Sequence, residues 1–374
     1  MRVLVVKMSS LGDVIHTLPA LTDAARALPG IRFDWAVEEA FAEIPAWHPA
    51  VDRVIPVAIR RWRKRPLKNF MGPEWRRVRN ALRSHHYDAV IDAQGLLKSA
   101  FIAHLVTATR CGMDKHSVRE RLATLAYHRK ISVPREMHAV ERIRLLFARA
   151  LNYPLPAEPG DYCLRDGLRG GLPDKLTPAG KELPPGLLFF HGTARAEKLW
   201  PEDHWVELAA LATQQGYTIW LPWGSDGEWE RAERITGLHH ASHHNSGHHF
   251  TSHSNAGQNP QVQVLPRLDL LGLAGMLLQV SGAVAVDTGL GHLSAALDVP
   301  TVSLYGPTRT ELIGAYGRNQ VHLQSPVGAE DTGDPLAMMR SITATAVWRE
   351  LQAILPGATF PGVGRPALIQ PGSD

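Results

Sequence analysis

At 374 residues, 44% of them apolar, the chain is too long for one ordinary core and predicts two domains of roughly 150–180 residues. Its two cysteines, Cys111 and Cys163, exclude a disulfide framework and point to a reducing compartment. The net charge of +4 conceals an asymmetry: residues 1–150 hold 26 Lys/Arg against 14 Asp/Glu, whereas residues 151–374 hold 14 against 22. A field of that size on one half draws an anionic partner, whether nucleic acid, acidic headgroups or a small phosphorylated ligand.

Residues 3–6 open the chain as four apolar residues stopped by Lys7, which predicts a first β-strand rather than a secretory signal. Further strand-length apolar runs stand at 33–37, 54–57, 89–91 and 109–112, with helical spacing between them at 15–28, 73–84 and 96–106. A bridging helix over 138–151 leads into a proline-rich linker ending near Pro185. Alternation restarts with strands at 187–190, 217–221, 262–265, 284–286 and 301–304 and helices at 205–215, 228–235, 270–278 and 290–297. A last helix at 336–351 precedes a Pro/Gly tail expected to fray. Such alternation predicts α/β architecture: two parallel sheets, each with helices on both faces, and a cleft between the two units. The expected boundaries are 1–152 and 186–335 for the domains, 153–185 for the linker and 336–374 for the C-terminal helix and tail. The longest charge-free apolar stretch, 270–286, is broken by Gln279 and Ser281-Gly282 and falls short of a membrane span, so a cytoplasmic, non-spanning protein is expected.

Strand ends in such sheets deliver loops to a crevice, so each loop's chemistry matters. After the first strand come Lys7, Ser9, Ser10, Gly12 and Asp13. Asp13 is the loop's one carboxylate; it reads either as a helix N-cap or as a general base for a substrate hydroxyl. After the third strand lie Arg60, Arg61, Arg63 and Lys64, either a solvated face or a fork for carboxylates and phosphates. Gln94 and Lys98 follow the fourth strand, and Arg119, Arg121, Arg142 and Arg144 are further basic candidates. In the second half, Thr193 and Lys198 are placed to contact a diphosphate. Glu228 suits ribose or sugar hydroxyls, or else starts a helix. The segment 284–308 reads as strand, tight turn, helix and strand, with Asp287-Thr288-Gly289 opening the helix and His292 on its first turn. Backbone N–H groups at such a helix start, with its dipole, suit phosphate or pyrophosphate, and the glycines at 289 and 291 would let a ligand come close. Residues 239–261 hold seven histidines without apolar periodicity, which reads as a disordered surface insertion or a metal tract.

Taken together, Val-Lys-Met-Ser-Ser-Leu-Gly-Asp (6–13), Asp-Ala-Gln-Gly-Leu (92–96), Lys-Leu-Trp-Pro (198–201), Leu-Pro-Trp-Gly (221–224) and Asp-Thr-Gly-Leu-Gly-His-Leu (287–293) resemble the bacterial ADP-heptose:lipopolysaccharide heptosyltransferases of glycosyltransferase family 9. The likeness runs from Met1 to about Leu355. It implies a GT-B fold, two Rossmann-like domains with the donor on the C-terminal one. It also implies inverting, metal-independent transfer of L-glycero-D-manno-heptose from ADP-heptose to the first Kdo of Kdo2-lipid A, with no cofactor. By position, Asp13 becomes the base, and Thr193, Lys198, Glu228, Asp287, Thr288, Gly289 and His292 the donor site. Ser10, Gly12, Arg60, Arg61, Arg63, Lys64, Gln94, Lys98 and Arg119 become the acceptor site. Ala194 stands where the family often has Thr, Leu268 where it often has Met, and the histidine-rich insertion is unusual; these departures bear on donor contacts only. The implied location is the cytoplasmic face of the inner membrane, attached through the basic half. The rival readings are a later heptosyltransferase of the same family and, from another class, a basic-surfaced nucleic-acid-binding protein. The polar loops in both halves favour the transferase, with no nucleic-acid partner.

Overall fold

The structure, a computed structural model, describes residues 1–62, 64, 72–169, 186–245, 261–328 and 335–356. Twelve strands among these residues form two six-stranded, wholly parallel sheets. The first contains β1 (Arg2–Val6), β2 (Arg32–Glu38), β3 (Val51–Val57), β4 (Ala89–Asp92), β5 (Thr109–Met113) and β6 (Arg129–Ile131) in the order β3-β2-β1-β4-β5-β6. The second contains β7 (Gly186–Phe190), β8 (Thr218–Leu221), β9 (Val262–Val264), β10 (Gly282–Val286), β11 (Thr301–Tyr305) and β12 (Gln320–Gln324) in the order β12-β11-β10-β7-β8-β9. Both orders are the doubly wound Rossmann pattern, so each sheet reverses direction once: between β1 and β4, and between β7 and β10.

The strands are apolar on both faces because helices cover both. Along β1, Val3 and Val5 join one core cluster while Leu4 and Val6 join another. Along β10, Ala283 and Ala285 point one way and Val284 and Val286 the other. The inner faces of the two sheets contribute to a single continuous cluster, which includes Val5, Ile91, Phe147, Leu188, Ala285 and Leu293. The two halves therefore share apolar packing as well as a cleft.

Several sequence expectations need correction. The helix expected at 15–28 is two helices, Leu11–Ile15 and Leu18–Ala27, the second with Pro19 in its first turn. The helix expected at 336–351 is likewise split into Pro335–Arg340 and Ala344–Ile354; Thr343 caps the second by accepting a hydrogen bond from the Ala346 N–H at 3.3 Å. The helix expected at 228–235 runs from Asp226 to Asn245 and absorbs the first seven residues of the histidine-rich stretch, burying His239. Residues 246–260 lie outside the described residues. The linker holds a further helix, Leu164–Arg169, with Leu164 and Leu168 buried, and residues 170–185 lie outside the described ones. Buried Arg144 ties this linker to the first half: it bonds Asp23 and Glu141 and donates to the Glu158 carbonyl at 2.8 Å. Arg144 is thus a structural cation rather than a site residue. The sheet edges β6 and β12 were not foreseen; one is three residues long with two charges, the other half-exposed.

Candidate functional site

Both sheets present their switch-point loops to the same place. In the first half, β1 delivers Lys7–Asp13 and β4 delivers Ala93–Leu96, and the two loops are sewn together. Asp92 fixes the second by accepting from the Gln94 and Gly95 N–H groups, while Tyr127 donates to its other oxygen at 2.6 Å. Gln94 then accepts from the Met8 and Ser9 N–H groups at 2.8 and 3.0 Å and donates to the Ser9 carbonyl. Its amide is therefore occupied in shaping the β1 loop, which makes it a positioning residue rather than the free acceptor contact expected from sequence. Lys98 donates to Ser9 Oγ at 3.1 Å on the same loop.

The loop ends in the short helix Leu11–Ile15, where Ser10 and Asp13 form a reciprocal cap. Asp13 accepts from the Ser10 N–H (2.9 Å) and Oγ (3.1 Å) through one oxygen and meets Lys7 Nζ at 3.3 Å through the other. The two sequence readings of Asp13 are thus compatible, since the capping carboxylate remains 29% exposed. Burial would raise its pKa, but Lys7, the Ser10 N–H, Arg119 and His16 outweigh burial and hold it far below the usual carboxylate range. Lys7 is itself buried and anchored on the Ala93 carbonyl at 3.0 Å.

Beside Asp13 lies a cavity of about 110 Å³ whose lining includes Lys7, His16, Gln94, Arg119, Arg142 and, from the second half, Ile313. Three cations around one carboxylate suit an acidic ligand that brings a hydroxyl to Asp13. Arg142 came from sequence only as one basic candidate among several. It donates to the Ser117 carbonyl at 2.7 Å, and its buried Nε has no partner among the described residues. Arg60 sits over the Phe41 ring at 5.5 Å, and its backbone N–H bonds Glu38. Arg61 is held by Glu39 and Glu74 (3.0 and 2.5 Å) and is not a free anion contact as expected; Lys64 is exposed. Arg63 lies outside the described residues.

In the second half Asp287, at the end of β10, is a hub. Its carboxylate takes Lys198 Nζ and Thr308 Oγ1, each at 2.5 Å, and its carbonyl accepts from Thr193 Oγ1 at 3.0 Å. Asp287 therefore orients the donor candidates Lys198 and Thr193. Thr308, at the carboxyl end of β11, joins the hub and was missed; the signal was its place just past a strand end. Thr288 starts the helix Gly289–Ala296 with no side-chain cap, so no side chain of its own N-cap occupies the helix's positive end. Glu228 bridges the neighbouring loops: one oxygen accepts from the Gly224 and Ser225 N–H groups (2.8 and 3.2 Å), and the carboxylate lies where a side chain on Gly192 would be.

The two loop systems meet directly. His16 Nε2 and His292 Nδ1 are 3.1 Å apart, both residues buried. Burial first, then neighbouring histidines, lower the pKa of His16. Burial also lowers that of His292, to about 4, against the pull of Asp287. One neutral imidazole therefore donates and the other accepts. His138 adds a second bridge, to the Gly314 carbonyl at 3.0 Å. Among the described residues, no three His, Cys, Asp or Glu side chains gather into a metal-holding group.

Comparison with known proteins gives a consistent result. The family model of glycosyltransferase family 9 (heptosyltransferase) matches residues 75–334. A lipopolysaccharide heptosyltransferase 1 of Pseudomonas aeruginosa is 54% identical over 328 residues, covering 87% of this chain and 84% of that protein. The structure of Escherichia coli heptosyltransferase WaaC with ADP superposes with a TM-score of 0.81 at 44% identity, covering 95% of this chain and all of that one. The same enzyme with ADP-2-deoxy-2-fluoro heptose gives 0.78 at 43%, covering 94% and 99%.

Proposed function

Because this chain belongs to glycosyltransferase family 9, the heptosyltransferases, we propose that its cleft moves heptose from ADP-heptose to the first Kdo of Kdo2-lipid A. The chain is a glycosyltransferase of lipopolysaccharide inner-core biosynthesis with the GT-B architecture. What this reading adds is the acceptor and the part each residue plays.

One observation carries it: the loop bearing Asp13 and the helix start at Thr288 touch across the cleft, through His16 and His292 at 3.1 Å. An acceptor hydroxyl held near Asp13 therefore lies next to whatever the helix start holds. The acceptor's carboxylates fit Lys7, Arg119 and Arg142 around the small cavity. The donor's diphosphate fits the helix N-terminus and Lys198, with Glu228 on the sugar or ribose hydroxyls. The acceptor oxygen attacks the anomeric carbon from the face opposite ADP, a carbon–oxygen bond forms, and the proton passes to Asp13. The bond to the diphosphate breaks, and its electron pair leaves with ADP. Charge that grows on the leaving group is met by the helix dipole and Lys198, with Asp287 keeping Lys198 in place.

The excess of cations in the first half supports attachment to an anionic membrane face, and no described helix is long and apolar enough to cross a membrane. The direct test offers the purified protein ADP-heptose with Kdo2-lipid A and, separately, with its singly heptosylated product. Transfer to the first alone supports the reading; transfer to the second alone makes this a later heptosyltransferase.

A further inference from the structure

Four large apolar side chains stand in water on one side of the first half: Leu97 (50% exposed), Phe101 (43%), Leu122 (63%) and Leu125 (79%). Their placement is not scattered. Leu97 and Phe101 are four apart on the helix Leu97–His104, and Leu122 and Leu125 three apart on the 3-10 turn Arg121–Ala126, so each pair shares a face. The two segments are joined, since Glu120 accepts the Leu97 N–H at 2.6 Å. They follow β4 and β5 at the same sheet edge as Asp13, and Lys98, beside Leu97, reaches Ser9 of the Asp13 loop. The patch therefore borders the mouth of the acceptor site.

Its surroundings are cationic. Between residues 115 and 121 the exposed side chains include Lys115, Arg119 and Arg121, against a single carboxylate, Glu120. The helix Pro73–Arg83, whose Trp75 stacks on Phe101 at 5.6 Å, adds exposed Arg76 and Arg79. Apolar tips ringed by cations complement a surface with anionic headgroups over hydrocarbon.

We propose that Leu97, Phe101, Leu122 and Leu125 are the surface by which this protein enters the headgroup layer of an anionic bilayer, bringing the acceptor-side sheet edge against the membrane. The proposal rests on the reading of a lipid-linked acceptor and says which face meets the lipid. Leu122 and Leu125 are the informative pair, because side chains so exposed contribute little to the core and their replacement leaves the fold intact.

The test measures sedimentation of the full chain with vesicles of equal parts phosphatidylglycerol and phosphatidylethanolamine, and with pure phosphatidylcholine vesicles. The wild type should prefer the anionic vesicles, and its binding should weaken with added salt. Leu122→Gln/Leu125→Gln should bind at least about tenfold more weakly, with unchanged kcat/KM for a deacylated, soluble acceptor. Equal binding by wild type and variant overturns the proposal, as does failure of the wild type to bind anionic vesicles. An equal loss of soluble-acceptor turnover overturns it too, by placing the leucines in the acceptor site. A lipid-free dimer that the double substitution dissolves would assign the patch to a second copy instead. Absence of any heptosyl transfer by the wild type strikes at the transferase reading, and vesicle binding is read without it.

Discussion

His16 and His292, 276 positions apart in sequence, face each other nitrogen to nitrogen at 3.1 Å and clasp the two halves where the chemistry is expected. Neighbouring glycines make this approach possible. A Cβ on Gly12 would lie 2.6 Å from His292 Cδ2, and one on Gly289 would lie 2.8 Å from the Leu11 Cβ. Each loop therefore gives up a side chain so that the opposite half can pack against it.

That clasp should respond to pH. His292 has its pKa lowered from the ordinary 6.5 to about 4 by burial. Asp287 and Asp13 pull it up, while His138 and His322 push it down with burial. Its folded pKa lies below the unfolded one, so unfolded or opened forms take up the proton first as pH falls. The stabilisation is fully present above 6.5 and is lost progressively down to about 4, on the order of 3 kcal/mol for this residue. Melting temperature followed across that window should fall more steeply for the wild type than for His292→Gln. Parallel slopes would show that the pair does not govern the acid response.

Asp13→Asn keeps the shape of the cap while removing the base. Turnover should drop by about 10²–10⁴-fold, with little change in ADP-heptose affinity, since general base catalysis contributes that much. Because Lys7, the Ser10 N–H, Arg119 and His16 hold the carboxyl well below the usual carboxylate range despite burial, Asp13 should be ionised at neutral and mildly acidic pH. The acid limb of a kcat/KM profile should then belong to another group. An acid limb that disappears in Asp13→Asn would contradict this.

Lys198 and Asp287 should behave as one unit. Lys198→Ala removes the cation set against the leaving diphosphate and should lower kcat/KM by about a hundredfold. Asp287→Ala should cost nearly as much, because it frees Lys198 and Thr308 together, while Thr193 keeps its bond to the backbone carbonyl. The double variant should be scarcely worse than either single one, and that non-additivity is what a double-mutant cycle measures. Strictly additive losses would mean that Asp287 contacts the donor independently.

How much of this was legible beforehand follows from the range of each signal. Apolar runs such as 3–6 and 284–286 are local, so ten of the twelve strands among the described residues, and the two parallel sheets, could be read directly. The edges β6 and β12 could not, because one exposed face and a length of three to five residues leave little pattern. Asp13, Thr193 and Lys198 were visible because strand ends deliver loops to the crevice. What escaped was partnership at long separation. Gln94 looked like a ligand contact, yet its amide is consumed by a loop 85 positions earlier. Arg61 looked free until Glu39 and Glu74 folded beside it. Polar residue types are apparent from sequence; which of them are already paired depends on tertiary contacts.

Gly289 gives the sharpest contrast between the two kinds of reading. From sequence its lack of a side chain leaves room for a diphosphate; in the structure the space a Cβ would need is filled by Leu11 Cβ, Cγ and Cδ2, all within 2.9 Å. Gly289→Ala should therefore overpack the contact between halves, costing about 1–3 kcal/mol. Expressed wholly in closure, that is roughly five- to 150-fold in kcat/KM. Leu11→Ala removes two of the three crowding atoms but leaves the nearest, Cβ at 2.8 Å, so the double variant Leu11→Ala/Gly289→Ala should recover part of the loss. If the glycine serves the diphosphate instead, Leu11→Ala restores nothing, and ADP affinity falls equally in the single and double variants. Calorimetric titration of ADP beside the kinetic cycle separates the two: closure predicts near-normal ADP binding with slow transfer, whereas ligand approach predicts weak binding whatever stands at position 11.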